Sequence, residues 1–173
     1  MSLIGQKAAV SKSDFYKHFE SKDDCFVAAY DAAIERIREQ VVSACEGAAG
    51  EEWPQRVRSA VAALLELFSR DPALASIALV EGLRAGRGVY DRYQAGVESF
   101  VLLLRHHAPP PPEGGKVPEA TDEAVVGGVA SLLGRRILAG EAALLTELFP
   151  EILEFTLAAY LGGEEAGRIV SAG

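Results

Sequence analysis

The sequence predicts an all-α protein with a short helical head followed by a larger helical body. Along most of the chain, apolar residues recur at steps of three and four, which is the period of an amphipathic helix. Helix-start signals stand at Ser21, which acids follow closely, and at the Trp-Pro and Asp-Pro pairs of residues 53–54 and 71–72. No segment alternates apolar and polar residues, so strands are not expected.

Six long helices are predicted after residue 20, and one or two short helices before it. The long helices are expected to begin near residues 21, 53, 71, 89, 121 and 148. The third ends near residue 83, before a Gly-Arg-Gly stretch. The fourth ends before an exposed loop at residues 109–118, which holds five prolines.

Composition places the chain among soluble globular proteins. Its 173 residues, 49% apolar and 24% charged, suit one domain or one domain with a small appendage. Its apolar runs are too short to cross a bilayer, and no secretory leader is recognisable. We therefore expect a cytoplasmic protein that does not enter a membrane.

No disulfide or metal site is predicted. Cys25 and Cys45 fall on one helix, and 20 residues at about 1.5 Å each place them about 30 Å apart, too far for a disulfide. His106 and His107 are neighbours on a helix and point about 100° apart, which favours a solvated helix end over a metal site. Neither a metal nor another cofactor is expected.

Basic charge is concentrated at the start of the chain. Residues 1–22 hold four of the five lysines against two acids, whereas the rest of the chain holds 13 basic and 23 acidic residues. A basic head on an acidic body suits a protein of which one end meets a polyanion. A solvated, lysine-rich terminus is the alternative explanation.

Residues 4–19 predict a short helix, a tight turn and a second short helix. Ala8, Val10, Phe15 and Phe19 can form a small core, and Ser11 can cap the second helix. The polar residues of the second helix then face outward. A recognition helix has this arrangement, with short side chains on base edges and longer ones on phosphates.

Residues 8–24, Ala-Ala-Val-Ser-Lys-Ser-Asp-Phe-Tyr-Lys-His-Phe-Glu-Ser-Lys-Asp-Asp, resemble the signature of the tetracycline-repressor-like (TetR) family. That signature is close to Ala-Gly-Val-Ser-x-x-x-Phe/Leu-Tyr-x-His-Phe-x-Ser-Lys-Glu. The C-terminal half of the chain is similar to family members in a weaker way. The resemblance implies a homodimeric transcriptional regulator, usually a repressor. Such a protein has a helix-turn-helix DNA-binding head and binds a small ligand inside its helical body.

Carried over residue by residue, the resemblance implies two groups of DNA-contacting side chains. Tyr16, Lys17, His18 and Lys22 match phosphate-contacting positions, and Lys12, Ser13 and Asp14 match the variable base-reading positions. The Asp14 carboxylate can accept a hydrogen bond from cytosine or repel phosphate. Ala9 stands where the family has glycine, which costs on the order of 1 kcal/mol if the turn requires a positive φ.

Family members carry a full helix before the one that begins near Ile4, whereas only three residues precede it here. The resemblance therefore implies a head without its first helix, which normally buries the apolar faces of the next two. Each large apolar side chain left exposed forfeits about 1.5–3 kcal/mol of burial free energy. We expect residues 1–20 to be poorly ordered or repacked, and the DNA affinity of this chain to be weak.

A ligand pocket is expected on the body helices that line it in family members. Its predicted lining residues are Trp53, Phe68, Tyr90, Tyr93, Phe100 and His106. A mostly apolar lining favours a small hydrophobic or aromatic effector. Core packing is the alternative role for each of these residues.

A four-helix homodimer interface is predicted from the helix at residues 121–139 and the apolar stripe at residues 148–160. The interface residues are Val125, Gly127, Gly128, Leu132, Leu148, Ile152, Phe155 and Ala159. Glycine inside a helix costs about 1 kcal/mol against alanine. Close approach of two helices across a two-fold axis would offset that cost at the two glycines, and a helix break there is the alternative.

These patterns divide the chain into a DNA-binding head with its connecting helix, residues 1–46, and a ligand-binding and dimerisation domain, residues 47–173. The expected function is a ligand-responsive transcriptional regulator, a repressor, that binds double-stranded operator DNA as a homodimer. The alternative is a helical small-molecule-binding protein without DNA-binding activity. No Gly-x-Ser-x-Gly, phosphate-loop or His-Glu-x-x-His motif occurs, so an enzyme is not expected.

Overall fold

The structure, a computed structural model, describes residues 16–82, 87–108 and 117–172. All regular structure in these ranges is helical, which confirms the all-α prediction. The α-helices are α1 (Lys22–Gly47), α2 (Trp53–Arg70), α3 (Pro72–Ser76), α4 (Arg87–His107), α5 (Thr121–Leu138), α6 (Phe149–Leu161) and α7 (Gly163–Ser171). A π-helical turn, Ile77–Glu81, continues α3, and a 3-10 segment, Ala142–Leu148, precedes α6.

Three helix starts lie where the sequence predicts them. Ser21 caps α1, because its hydroxyl accepts a hydrogen bond from the backbone N–H of Asp24 at 3.0 Å. Pro54 lies in the first turn of α2, where its missing N–H costs little. Asp71 caps α3, because its carboxylate accepts the backbone N–H of Leu74 at 3.1 Å. Side-chain caps therefore mark the starts of α1 and α3, and a proline in the first turn marks the start of α2.

The structure differs from the sequence prediction at two helices. The predicted third helix is α-helical only at its start and then changes to the π-helical turn; residues 83–86 lie outside the described ranges. The helix α7 was not predicted. Gly162, with a φ of +84°, ends α6 and allows the chain to turn into α7. A φ in this region favours glycine, which has no Cβ.

A buried core joins α1 to the body of the protein. α1 and α2 run antiparallel, since Cys45 lies against Arg56 near one end and Arg36 pairs with Asp71 at the other. α1 packs against α2, α4 and the π-helical turn. Its buried residues Ala33, Ile37 and Val41 belong to one hydrophobic cluster with residues of α2, α3, α5, α6 and the 3-10 segment. The domain boundary at residue 46 stays a prediction, and α1, which ends there, shares this core.

Candidate functional site

Four of the seven predicted DNA-contacting residues lie in the described ranges. Tyr16, Lys17 and His18 form a single helical turn and are exposed, and Lys22 is the exposed first residue of α1. Lys12, Ser13 and Asp14 lie outside the described ranges, as does most of the predicted helix-turn-helix. The four described residues of this predicted set therefore lie just before α1 or at its first residue.

An apolar cavity of about 190 Å³ lies between α1, α2, the π-helical turn, α4, α5 and α6. Four of the six predicted lining residues line it, namely Trp53, Phe68, Tyr93 and Phe100. Tyr90 does not: it lies on the outer side of α4, where it is 45% exposed and accepts a hydrogen bond from the Gln94 amide at 2.9 Å. The side chain of His106 lies outside the described part of the chain.

Tyr90 lies outside the cavity because of the way α4 is rotated about its own axis. Val89 and Tyr93 lie four residues apart and share the inward face, and Val89 is 4% exposed. Tyr90 is one residue, or about 100°, further round the helix and therefore points to solvent. Its ring stacks on that of Tyr93 with 6.4 Å between the centroids, so it covers the cavity wall from outside.

α1 forms one long wall of the cavity. Its lining residues recur at steps of three and four, namely Tyr30, Ile34, Ile37, Val41 and Cys45. Fifteen residues at about 1.5 Å rise give this wall a length of about 22 Å. The cavity is therefore an elongated slot that follows α1 over more than half of its length.

Tyr30 and Gly96 line the end of the slot near the start of α1, and Gly82 lies against the Tyr30 ring. Tyr30 is 1% exposed, and burial raises the pKa of its phenol above the ordinary value. A Cβ at Gly82 would come within 2.8 Å of the Tyr30 ring, and a Cβ at Gly96 within 3.2 Å of its hydroxyl oxygen. Gly82 therefore leaves the space that the Tyr30 ring occupies, and a side chain at Gly96 would require the Tyr30 hydroxyl to shift by a few tenths of an ångström.

Trp53, Arg56 and Cys45 line the opposite end of the slot. Trp53 is 6% exposed, and among the described residues neither its Nε1 nor the buried Nε of Arg56 has a hydrogen-bond acceptor. Arg56 is the one charged residue among the described lining residues, and no described carboxylate forms an ion pair with it. Burial raises the pKa of the Cys45 thiol, and the positive charge of Arg56 acts in the opposite direction.

A hydrogen-bonded group centred on Asp122 contacts Trp53 through the ring of Tyr160. Asp122, 7% exposed, accepts a hydrogen bond from the Tyr160 hydroxyl and another from Arg105 Nε at 2.8 Å. The Tyr160 ring meets the Trp53 ring edge-on, with 5.2 Å between the centroids. Burial and the hydrogen bond to Asp122 raise the pKa of Tyr160. These contacts fix the position of the indole, and the sequence analysis did not identify them.

The predicted dimer residues divide into an inner and an outer set. Val125, Leu148 and Ile152 are 4%, 8% and 2% exposed and pack into the chain's own core, so their assignment to an interface is wrong. The outer set comprises Gly127, Gly128, Leu132, Phe155 and Ala159, which are exposed or half-buried. The sequence predicts a single face for the apolar stripe of α6, whereas Ile152 is buried and Phe155, three residues on, is exposed.

α5 and α6 together present an outer face of small residues around one aromatic ring. α5 continues through Gly127 and Gly128 without a break. A Cβ at Gly128 would lie 3.5 Å from the Phe155 ring, which is 51% exposed, and a Cβ at Gly127 would meet nothing within 4 Å. We call the face formed by Gly127, Gly128, Leu132, Phe155 and Ala159 the glycine face.

The described residues thus form an all-helical protein with an apolar cavity between its helices. No described helix is long and apolar enough to cross a membrane. In the part of the chain that the structure describes, no group of three or more His, Cys, Asp or Glu side chains could hold a metal ion. No family model, curated protein or solved structure matches this chain. The TetR-like resemblance therefore rests on the motif at residues 8–24 and on the weaker similarity of the C-terminal half.

Proposed function

We propose that this protein is a ligand-responsive transcriptional repressor that binds operator DNA as a homodimer and a small apolar effector in its internal cavity. One observation carries the proposal: the helix that forms the long wall of the cavity begins at Lys22, directly after the basic motif. A ligand site and a candidate DNA-contacting segment thereby share one rigid element.

The cavity supports the ligand-binding part of this proposal. Its walls are almost entirely apolar, and its volume of about 190 Å³ exceeds the roughly 150 Å³ that admits benzene. It is smaller than the roughly 300 Å³ at which pockets for drug-sized molecules begin. The size therefore favours an effector somewhat larger than a single aromatic ring.

Contacts of α1 support a route from the cavity to the DNA-contacting segment. Arg92 of α4 pairs with Asp31 of α1 at 2.8 Å, and Arg36 of α1 pairs with Asp71 at the start of α3 at 2.7 Å. One of these ion pairs joins α1 to α4, which lines the cavity, and the other joins it to the junction of α2 and α3. A ligand that shifts them would move Lys22 and the segment before it. In a homodimer, this movement changes the spacing of two heads that must match half-sites about 34 Å apart.

The glycine face supports the homodimer. It combines an exposed phenylalanine with helix positions where no side chain separates the backbone from solvent or a second chain. Two copies of α5 and α6 packed across a two-fold axis would bury this face and form a four-helix interface. Burial against a second chain would also offset the helix propensity lost at Gly127 and Gly128.

The test is fluorescence anisotropy with the DNA upstream of the gene for this protein, titrated across a salt series. Two forms are compared: this chain, and a form that also carries the residues encoded immediately upstream. The proposal expects specific binding by the longer form, with a log affinity that falls steeply as log salt rises. Each of Lys17→Ala and Lys22→Ala should reduce that slope by about 0.9 if it removes one phosphate contact.

Lys116→Ala is the matched control, since Lys116 is the single lysine outside the first 22 residues. It should leave the slope unchanged. Equal losses from all three variants would indicate non-specific attraction of lysine to DNA and contradict the assigned contacts. If neither form binds above background while the body binds small molecules, the protein is a helical small-molecule-binding protein and the repressor assignment is wrong.

A further inference from the structure

We propose that the effector is a neutral apolar molecule with one hydrogen-bonding oxygen, such as a ketone or an alcohol, and that this oxygen binds the buried hydroxyl of Tyr30. Carboxylates and amines, which are charged at neutral pH, lie outside this class. The inference rests on the proposed function, because it names the class of ligand for the same cavity.

The Tyr30 hydroxyl is a polar group of the slot that a ligand can reach. Tyr30 lines the slot, and its hydroxyl forms no hydrogen bond with another described residue. Three buried side-chain atoms in the described ranges lack both a partner and accessible surface, namely Trp53 Nε1, Arg56 Nε and Arg58 Nε. The Tyr30 hydroxyl is not among these three atoms, so it keeps accessible surface in a residue that is otherwise 1% exposed.

Close neighbours hold the Tyr30 ring in this position. The backbone at Gly82 lies so near that a Cβ there would be 2.8 Å from the ring, and a Cβ at Gly96 of α4 would be 3.2 Å from the hydroxyl oxygen. The ring therefore has little room to turn its hydroxyl towards water. Because a buried hydroxyl without a partner costs free energy, a ligand oxygen that pairs with it is favoured.

The chemistry of the slot selects a neutral ligand. Burial raises the pKa of Tyr30 and that of Tyr93, so both hydroxyls stay uncharged at neutral pH. An uncharged hydroxyl does not offset the cost of taking a carboxylate or an ammonium group out of water. At the opposite end, Trp53 Nε1 and Arg56 Nε have almost no accessible surface, and no acidic side chain is among the described lining residues.

Two other described lining residues carry a hydroxyl, namely Thr156 and Tyr93. Thr156 lies within α6, and a threonine in a helix can turn its hydroxyl to the carbonyl oxygen four residues earlier. Tyr93 is only half-buried, so its unpaired hydroxyl costs less than that of Tyr30. A ligand oxygen therefore gains most at Tyr30.

The assay is isothermal titration calorimetry with three probes of similar shape. 1-Phenyl-2-propanone carries the neutral oxygen, n-propylbenzene lacks it, and phenylacetate has a carboxylate in place of the methyl ketone. Each is somewhat larger than benzene, as the cavity volume of about 190 Å³ requires. We expect the ketone to bind at least about tenfold more tightly than phenylacetate, because only phenylacetate must bring a charge out of water.

Tyr30→Phe removes the hydroxyl and keeps the ring. It should weaken binding of the ketone about fivefold, as for a neutral hydrogen bond, and leave the affinity for n-propylbenzene unchanged. Tyr90→Phe is the matched control, because the Tyr90 ring is exposed on the outer side of α4 and does not line the slot. It should change neither affinity, and Thr156→Val should leave the effect of the ketone oxygen intact.

Thermal melts separate a ligand-binding role of the Tyr30 hydroxyl from a structural one. Because this hydroxyl has no partner in the described part of the chain, Tyr30→Phe should not lower the melting temperature. Tyr160→Phe should lower it, since the Tyr160 hydroxyl donates a hydrogen bond to the buried carboxylate of Asp122. A fall of similar size in both variants would indicate a structural role for the Tyr30 hydroxyl and contradict the proposal.

The outcomes distinguish this inference from the proposed function. Phenylacetate that binds as tightly as the ketone would overturn the neutral class. A Tyr30→Phe variant that keeps full ketone affinity, or a loss seen only in Thr156→Val, would overturn the assignment to Tyr30. In each of these cases the ligand-binding body stays supported. Binding of none of the probes would overturn the inference as well, whereas a failure of DNA binding alone would count only against the repressor.

Discussion

Replacing Gly127 and Gly128 together by alanine tests whether the glycine face is an interface. Within one chain both substitutions have room, since a Cβ at residue 127 meets nothing within 4 Å and one at residue 128 meets the Phe155 ring at an ordinary 3.5 Å. Each should therefore gain the helix propensity of alanine, about 0.8–1 kcal/mol, or about 2 kcal/mol for the pair. For a chain of this length, that gain raises the melting temperature by about 4–8 °C if the protein is a monomer.

In the proposed homodimer the same two methyl groups have the opposite effect on association. They would stand between helices that approach closely across the two-fold axis, and overpacking of a closely packed contact costs about 1–3 kcal/mol. Sedimentation velocity should then show the double variant shifted towards monomer relative to the parent protein. Its melting temperature should also lose the dependence on protein concentration that a dimer has.

The control for this experiment is Gly47→Ala, at the last residue of α1, where a Cβ also meets nothing within 4 Å. It should leave association unchanged. A double variant that melts higher than the parent and remains equally dimeric would refute the assignment of Gly127 and Gly128 to an interface. A parent protein that is monomeric at all concentrations would refute the homodimer itself.

Three further substitutions test the packing and electrostatics around the cavity. Asp122→Ala should lower the free energy of unfolding, measured in urea, by about 2 kcal/mol, because it leaves the buried hydroxyl of Tyr160 without an acceptor. Glu123→Ala, at the exposed neighbouring residue, is the control and should change it by less than about 0.5 kcal/mol. Asp71→Ala should cost about 1 kcal/mol at neutral pH, because it removes the cap of α3. The backbone N–H that Asp71 accepts, and then Arg36, lower the pKa of Asp71. Since the folded-state pKa is lower than the unfolded value of about 3.9, the carboxylate stabilises above that pH, and the difference between parent and variant should close as pH falls through the folded-state pKa. Gly82→Ala should destabilise the protein by about 1–3 kcal/mol, because its Cβ would lie 2.8 Å from the buried ring of Tyr30; a thermal melt that is unchanged would contradict this contact.

The helix starts and the inner side of α1 could be predicted from the sequence because the interactions that determine them are local. The hydroxyl of Ser21 binds an N–H three residues away, and the stripe of α1 follows from the period of the helix alone. The aromatic cavity residues could be assigned to helices for the same reason. Which of them face the cavity depends on how each helix is rotated against its neighbours, and this rotation placed Tyr90 outside.

Arg56 and Asp122 could not be found by the same reasoning. A charged residue in an amphipathic pattern is normally assigned to solvent, and both lie close to helix starts, where charge is common. The burial of Asp122 depends on a partner far along the chain, since Tyr160 reaches it across 38 residues. Likewise, the sequence predicts an interface role for Val125 and Ile152 because it does not reveal which apolar face the chain's own core covers.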